Sequence, residues 1–336
     1  MTAPLHATLK RLWIVSAVLL VFFVLTMLAG LCAGSSDTGV RRVISVLVGG
    51  EAADPMLATI IWRIRLPRVL LAAMVGAALS MGGLVFQALL RNPLAEPYIL
   101  GISGGAAIGA IIGILMGFAR FPGVGLMAFV GSMATLALLL LMTSGRSVLK
   151  KDSLLLSGVM VNAFCSALIM FLVSITQDAR LHNIIFWLMG DMGMTDLRQA
   201  GFLALILAPC FVLFFWLSNA MNLLTMGSET ALAIGINVKA VSLVLLTATS
   251  LMISAAVSHS GLIGFVGLVM PHLLRLVLGP DHRVLVPASI LGGGGYMVLC
   301  DLLARTLPRQ GEMPAGVVTA LIGAPLFIYL LKRTKS

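Results

Sequence analysis

An all-α, polytopic membrane fold is the class this sequence predicts, and three observations carry the prediction. Of 336 residues, 60% are hydrophobic and 10% are charged, where a soluble chain commits roughly a quarter of its residues to charge. The apolar residues gather into runs of 16 or more, near the roughly 20 that a helix needs to cross hydrocarbon. Charges fall almost wholly between those runs, and most prolines do too. Soluble enzyme, disordered and collagen-like classes are thereby excluded. No shift in composition marks a second unit, so residues 1–336 are expected to form a single transmembrane domain.

Ten runs are expected to span: 12–33, 69–90, 97–118, 124–143, 154–175, 200–217, 240–257, 262–278, 284–304 and 315–331. An even number puts both termini on one side. The first run follows Lys10 and Arg11 and outruns the apolar stretch of a signal peptide, so an uncleaved helix is expected. Leu31 stands before Cys32, where a lipidation site requires a small residue. The linker 34–68 shows a helical pattern at 40–48, a turn at Gly49-Gly50 and a second run, 56–66, closed by Pro67. Phe186-Trp187-Leu188-Met189-Gly190 is apolar but too short to cross; a half-helix with Trp187 at the membrane interface is expected.

Within the third run, Gly101, Gly105, Gly109, Gly113 and Gly117 recur every fourth residue, a stripe that lets another helix approach closely and that has no side chain with which to read a cargo. The turn Arg91-Asn92-Pro93-Leu94-Ala95-Glu96-Pro97 holds two prolines. It fits a tight helical hairpin, or a rigid constriction built on Asn92, Pro93 and Leu94. Residues 222–238 are too short and polar to span. They read as a surface helix with Ser228 as N-cap, Glu229 in the first turn and Gly235 as the stop. Its apolar and small residues suit docking to another protein.

Lys plus Arg number 22 against 12 Asp plus Glu. With the N-terminus in the cytoplasm, twelve cations fall inside (Arg146, Lys150 and Lys335 among them) and ten outside (Arg309 among them). Every lysine is inside, and the outer cations are all arginine. Those arginines are either long-loop charges or a docking surface for an acidic soluble partner. The inner excess suits anionic lipid, and no basic stripe interleaves with aromatics as nucleic-acid binding requires.

The polar residues inside runs, Gln87, Ser157 and Asn162 with Thr247, Thr249, Ser250 and Ser254, either line a pathway or join helices by hydrogen bonds. His259, near the outer end of its run, is either a cargo contact or a solvated loop residue. His272 and Arg275 anchor the end of the eighth run. No metal site is expected, because the histidines lack a carboxylate and a third ligand and the four cysteines lie singly in separate runs. GxxxxGK[ST], HExxH and GxSxG are absent, so no nucleotide or hydrolase chemistry is expected on this chain. The one acid within a run, Asp301, has Arg305 four residues on. An ion-gradient-driven carrier would be expected to bury more acids, and it stays as the alternative to an ATP-driven one.

Taken together, the motifs resemble the permease subunits of type II ABC importers for iron chelates and cobalamin. The resemblance rests on Arg65-Leu66-Pro67-Arg68, Gln87, the turn 91–97, Leu100-Gly101 and the Trp187 motif. Further along it rests on Asn222-Leu223-Leu224, Gly264-Phe265-Val266-Gly267-Leu268, Pro271-His272, Asp281-His282-Arg283 and 312–325. It implies a bacterial inner-membrane homodimer with a pathway on its axis. Two ATP-binding subunits carrying ATP and Mg would sit below and a periplasmic binding protein above. Carried over residue by residue, the resemblance makes Arg65, Arg68 and Arg305 the binding-protein docking set and Asn92 with Leu94 the cytoplasmic gate. Gly227, Ser228, Glu229, Ala231, Leu232 and Gly235 become the ATPase-coupling helix. The cargo would be a ferric siderophore, haem or cobalamin.

Overall fold

The computed structural model describes residues 5–33, 39–48, 55–143, 151–193, 195–308 and 311–334. The turn expected at Gly49-Gly50 and the cations Arg146, Lys150, Arg309 and Lys335 lie outside them. The α-helices, in chain order, are α1 (Leu5–Cys32), α2 (Val40–Leu47), α3 (Pro55–Ile60), α4 (Leu66–Leu90), α5 (Ile102–Leu115), α6 (Gly125–Thr143), α7 (Lys151–Ser174) and α8 (Asp178–Leu188). They continue as α9 (Leu197–Trp216), α10 (Ser218–Met226), α11 (Ser228–Ala233), α12 (Val238–Ser260), α13 (Val266–Leu278), α14 (His282–Thr306) and α15 (Ala315–Thr334). Among the described residues seven stretches are long and apolar enough to cross a membrane, and Ile102–Leu115, Val266–Leu278 and Ala315–Leu330 are shorter apolar helices.

Two of the expected spans are therefore cut short, for backbone reasons. The third begins with a tight turn at Pro97–Leu100, and Gly101 enters α5 at φ +78°. The eighth loses its first residues to an extended stretch, and Phe265 precedes α13 at φ +68°.

α4 is the axis of the bundle. It packs against α14, α12, α13, α9 and α10, and 21 of its 25 residues are buried. Lipid offers no hydrophobic force between helices, so close backbone approach has to hold them. At Gly76 an added Cβ would strike the Gly293 carbonyl of α14, and at Gly83 the Gly267 carbonyl of α13.

The glycine stripe of α5 divides by position. Gly105, Gly109 and Gly113 lie on α6, facing the Gly131 carbonyl, the Met127 carbonyl and Val124. Gly101 instead abuts Val161 of α7, and Gly117 has open space around it. Gly117, at φ +78°, ends the helix, and the Phe118 amide returns to the Gly113 carbonyl at 3.0 Å. Spacing alone does not separate a packing glycine from a terminating one.

Trp187, expected at the membrane interface, is 6% exposed and packs within the bundle. It lies on the inner side of α8, and its carbonyl accepts the Leu262 amide at 3.4 Å.

Gly83→Ala should cost about 1–3 kcal/mol by overpacking against the Gly267 carbonyl, whereas Gly201→Ala, in a helix interior with no neighbour within 4 Å, should be neutral or stabilising. Thermal melts in detergent decide; equal melting temperatures for the two variants would refute close packing at α4.

Candidate functional site

The turn after α4 is built by its own side chains. Arg91 is left-handed at φ 49°, and the Asn92 amide donates to the Gln87 carbonyl at 3.2 Å. The Asn92 side-chain oxygen accepts the Leu94 amide at 3.0 Å. Leu94 is left 44% exposed, held out on a fixed turn by Asn92 and Pro93, as a constriction would require.

The same turn holds the entry to α13. Tyr98 Oη donates to the Ile263 carbonyl at 2.7 Å and accepts the Ile263 amide at 2.9 Å. Glu96 Oε1 accepts the amide of left-handed Phe265 at 3.0 Å, placing a carboxylate at a helix N-terminus, where the macrodipole favours it. Burial pushes the Glu96 carboxyl up from its ordinary value, and the Phe265 amide partly opposes that. Gln87, expected as a pathway residue, is an internal bridge at 3% exposure. Its amide donates to the Ala95 and Gly267 carbonyls, each at 3.4 Å, and accepts from the Arg275 guanidinium at 3.0 Å. Tyr98 carried no sequence signal, and Phe265 stood only within the 264–268 motif, with no role attached. Glu96 carried a weak one, as an acid between apolar neighbours and a proline.

The surface segment is an elbow of two helices and not one. Gly227, at φ 131°, separates α10 from α11. This corrects the expected cap, since Gly227 holds the N-cap position and Ser228 is the first helical residue. Gly235, at φ 90°, ends α11, with the Ile236 amide returning to the Ala231 carbonyl at 3.0 Å. Ala231 is buried, while Met226, Leu232 and Ile234 are 71%, 58% and 60% exposed, with Glu229 exposed beside them. The root of the elbow is polar: Asn222 bonds to Asp281 and His282 at the start of α14.

At the other end of α14 the three arginines expected to face outward are folded inward, a correction to their expected exposure. Asp301, with its side chain 1% exposed, lies 3.0 Å from Arg68 Nε and 3.0 Å from Arg305 Nε. Arg68 also meets Glu312 at 2.6 Å. Arg65, 4% exposed, donates to the Leu31 and Cys32 carbonyls at 2.8 and 2.9 Å, satisfying the end of α1. The cause is charge balance in an apolar setting, since a buried carboxylate draws every nearby guanidinium. The exposed arginines on the neighbouring elements are Arg41 and Arg42 of α2 and Arg63 just before α4.

The remaining pathway candidates are spread out. Ser157 and the exposed Asn162 lie on α7. His259, near the end of α12, bonds through Nδ1 to the Ala255 carbonyl at 2.8 Å and stacks on Phe121 at 5.3 Å. Among the described residues no group of three or more His, Cys, Asp or Glu could hold a metal ion.

The profile of the FecCD transport family matches residues 19–333. The chain belongs to the FecCD transport family. Among curated proteins, this FecCD chain is 39% identical to the ABC transporter permease protein YvrB of Bacillus subtilis, over 93% of this chain and 91% of that one. It is also 39% identical to the vitamin B12 import system permease protein BtuC of Shigella boydii, over 94% of each. Among solved structures, one described as an inward-facing metal-chelate type ABC transporter superposes with TM-score 0.85 at 32% identity, over 95% of this chain and 98% of that one. PsaBC from Streptococcus pneumoniae, at TM-score 0.57 and 17% identity over 79% of this chain and 90% of that one, shares the fold. This FecCD chain is a multi-pass membrane permease of the ABC-transporter kind.

Asp301→Asn should destabilise the fold by about 3–5 kcal/mol, because Arg68 and Arg305 then face each other without a shared charge; a melting temperature equal to wild type would refute the cluster. At Glu96 the sign is opposite to that of a salt-bridged acid. With the folded-state value raised above the ordinary 4.5, stability falls as pH rises from the ordinary value through the raised one. Glu96→Gln keeps an acceptor for Phe265 and should flatten that part of the melting-temperature profile. An unchanged slope would exclude Glu96 as its source.

Proposed function

We propose that this chain is the membrane subunit of an ATP-driven importer that passes a bulky metal chelate or cobalamin into the cytoplasm without covalent chemistry. The observation that carries the reading is the α10–α11 elbow, with Met226, Leu232 and Ile234 presented to solvent and its root bonded into the bundle. Such a surface, on a helix too short to span, suits a groove in another protein. That partner is the ATP-binding subunit, two per complex, which carries ATP and Mg and performs the hydrolysis. Both termini are then cytoplasmic and the complex lies in the bacterial inner membrane, with anionic lipid against its inner cations. The names of BtuC and of the metal-chelate structure support this cargo class. Within it, cobalamin has the support of BtuC, while a ferric siderophore or haem rests on the resemblance alone.

A second copy of the chain completes the pathway. α7 packs on α5 and the turn before it, with Gly158 against Ile99 and Leu100, Val161 against Gly101 and Cys165 against Gly104, and leaves Asn162 and Ser166 exposed. Polar groups on a spanning helix are costly against lipid and suit a partner helix or a wet lumen. Across the pair, the two turns carrying Asn92 and Leu94 face one another as the inner gate. A chelate-loaded binding protein docks on the outer end, where Arg41, Arg42 and Arg63 offer exposed guanidiniums to an acidic surface. Arg65, Arg68 and Arg305 support that end from within. Nucleotide binding and hydrolysis move the elbow, and the gates exchange by alternating access, shifted only as far as each ligand's differential affinity for the two states allows.

The test is co-expression with the candidate ATPase and binding protein, purification, and ATPase assay in lipid with each chelate. Copurification and a change in hydrolysis caused by one loaded binding protein are expected. A chain that purifies alone, or uptake that follows an ion gradient without any ATPase, would overturn the reading. Leu232→Glu with Ile234→Glu should lower ATPase copurification by about tenfold or more, the scale expected of an apolar interface centre, while the melting temperature of the isolated permease holds. Undiminished copurification would remove the elbow from the interface.

A further inference from the structure

The elbow is joined to α14 by a hydrogen-bond set with a determined orientation. Asn222 lies 2.8 Å from Asp281 Oδ1, 2.9 Å from the His282 amide and 2.7 Å from His282 Nδ1. A carboxylate only accepts, so the Asn222 amide nitrogen faces Asp281 and its oxygen faces His282. An amide oxygen also only accepts, so His282 Nδ1 carries the proton. Asp281 Oδ1 further accepts the Arg283 amide at 3.0 Å and thereby caps α14. Arg283 Nε donates at 2.5 Å to Asn219, one turn earlier on α10. His282 is 2% exposed, so water competes little for the clasp.

α14 then continues without a break to Asp301 and Arg305, about 28 Å away at the helical rise. Along the way it lies on α4 at Gly76 and Gly293. At that point the Met297 side chain lies against Gly76 and the Ser80 side chain against Gly293, so the two helices are held closely together. One helix therefore joins the exposed elbow to the buried ion cluster.

We propose that Asn222 is a positioning residue that makes α10, α11 and α14 move together, so that a displacement of the elbow reaches the Asp301 end. Without the clasp, α10 shifts against the start of α14 and the displacement is not passed on. This inference rests on the importer reading and concerns how the two ends of the subunit are linked within it.

The experiment uses the full complex in proteoliposomes and reads chelate uptake per ATP hydrolysed, alongside ATPase copurification. Asn222→Asp sets a carboxylate against Asp281. The paired exchange Asn222→Asp with Asp281→Asn removes the like charges, with the amide at 281 turning so that its nitrogen donates to the carboxylate at 222 and its oxygen keeps the Arg283 amide, two roles that Asp281 Oδ1 fills alone. The single variant is expected to retain the ATPase subunits and lose about tenfold in uptake per ATP, with the exchange recovering to within about twofold, as a double-mutant cycle reports for a direct pair. Wild-type coupling in Asn222→Asp, or an exchange as poor as the single variant, would overturn the proposal. If Asn222→Asp does not assemble, Asn222→Ala serves, since it breaks the clasp without adding charge; wild-type coupling there also overturns it. A wild-type complex that neither hydrolyses ATP nor transports counts against the importer reading itself, a separate result.

Discussion

Hydrocarbon hydrates no peptide group, and this chain interrupts its helices inside an apolar bundle, so every freed amide there needs a protein partner. The segment 261–265 shows how that constraint is met. The Gly261 amide returns to Val257, Leu262 donates to Trp187, Ile263 pairs in both directions with Tyr98, and Phe265 donates to Glu96. Three separate elements thus converge on one extended stretch: α8, the turn after α4, and α12. The result fixes the start of α13 against Gly83 and Gln87, and so fixes the turn that carries Leu94. Leu94 thus stands on a turn whose position is set by bonds from several elements.

Charge obeys the same constraint. Asp301 would be costly to bury alone, and two guanidiniums with a further carboxylate make its burial tolerable. Arg65 is held by two carbonyls that end α1, serving as a C-terminal cap in addition to carrying charge. The cluster ties α1, α4, α14 and the stretch before α15 together at one end, where the chain is otherwise joined by long linkers. These inward charges brace that end of the bundle, and Arg41, Arg42 and Arg63 stay exposed beside it.

Much of the architecture was legible because length and hydropathy report directly on spanning helices; six of the seven long apolar stretches coincide with predicted runs, and the seventh, Pro55–Leu90, passes through Pro67, where the run 56–66 was expected to close, because a proline in the first turn of α4 interrupts no helix. The i to i+4 pair of Asp301 and Arg305 was legible for the same reason, being local. What hid from the sequence is non-local. Arg68 looks like a solvent-facing cation until Asp301, 233 residues away, is placed beside it. Asn222 gives no hint of Asp281, and the left-handed backbone at Phe265 breaks the usual preference of bulky residues, so no rule would have placed it. Gly117 shares the spacing of its stripe and not its environment. Periodicity names a face, whereas tertiary context decides whether that face continues.

The distribution of polar groups also bears on selectivity. Gln87, Tyr98, Glu96, Asn222, Asp281 and Asp301 all spend their hydrogen bonds within this chain. Discrimination between cargoes depends on polar groups that would be left unpaired by the wrong one, and few such groups remain exposed on the spanning helices. Side chains paired in this way offer little with which to tell related solutes apart. The polar side chains of this subunit are invested in position, which is what a part that must move as a body and return to the same place requires.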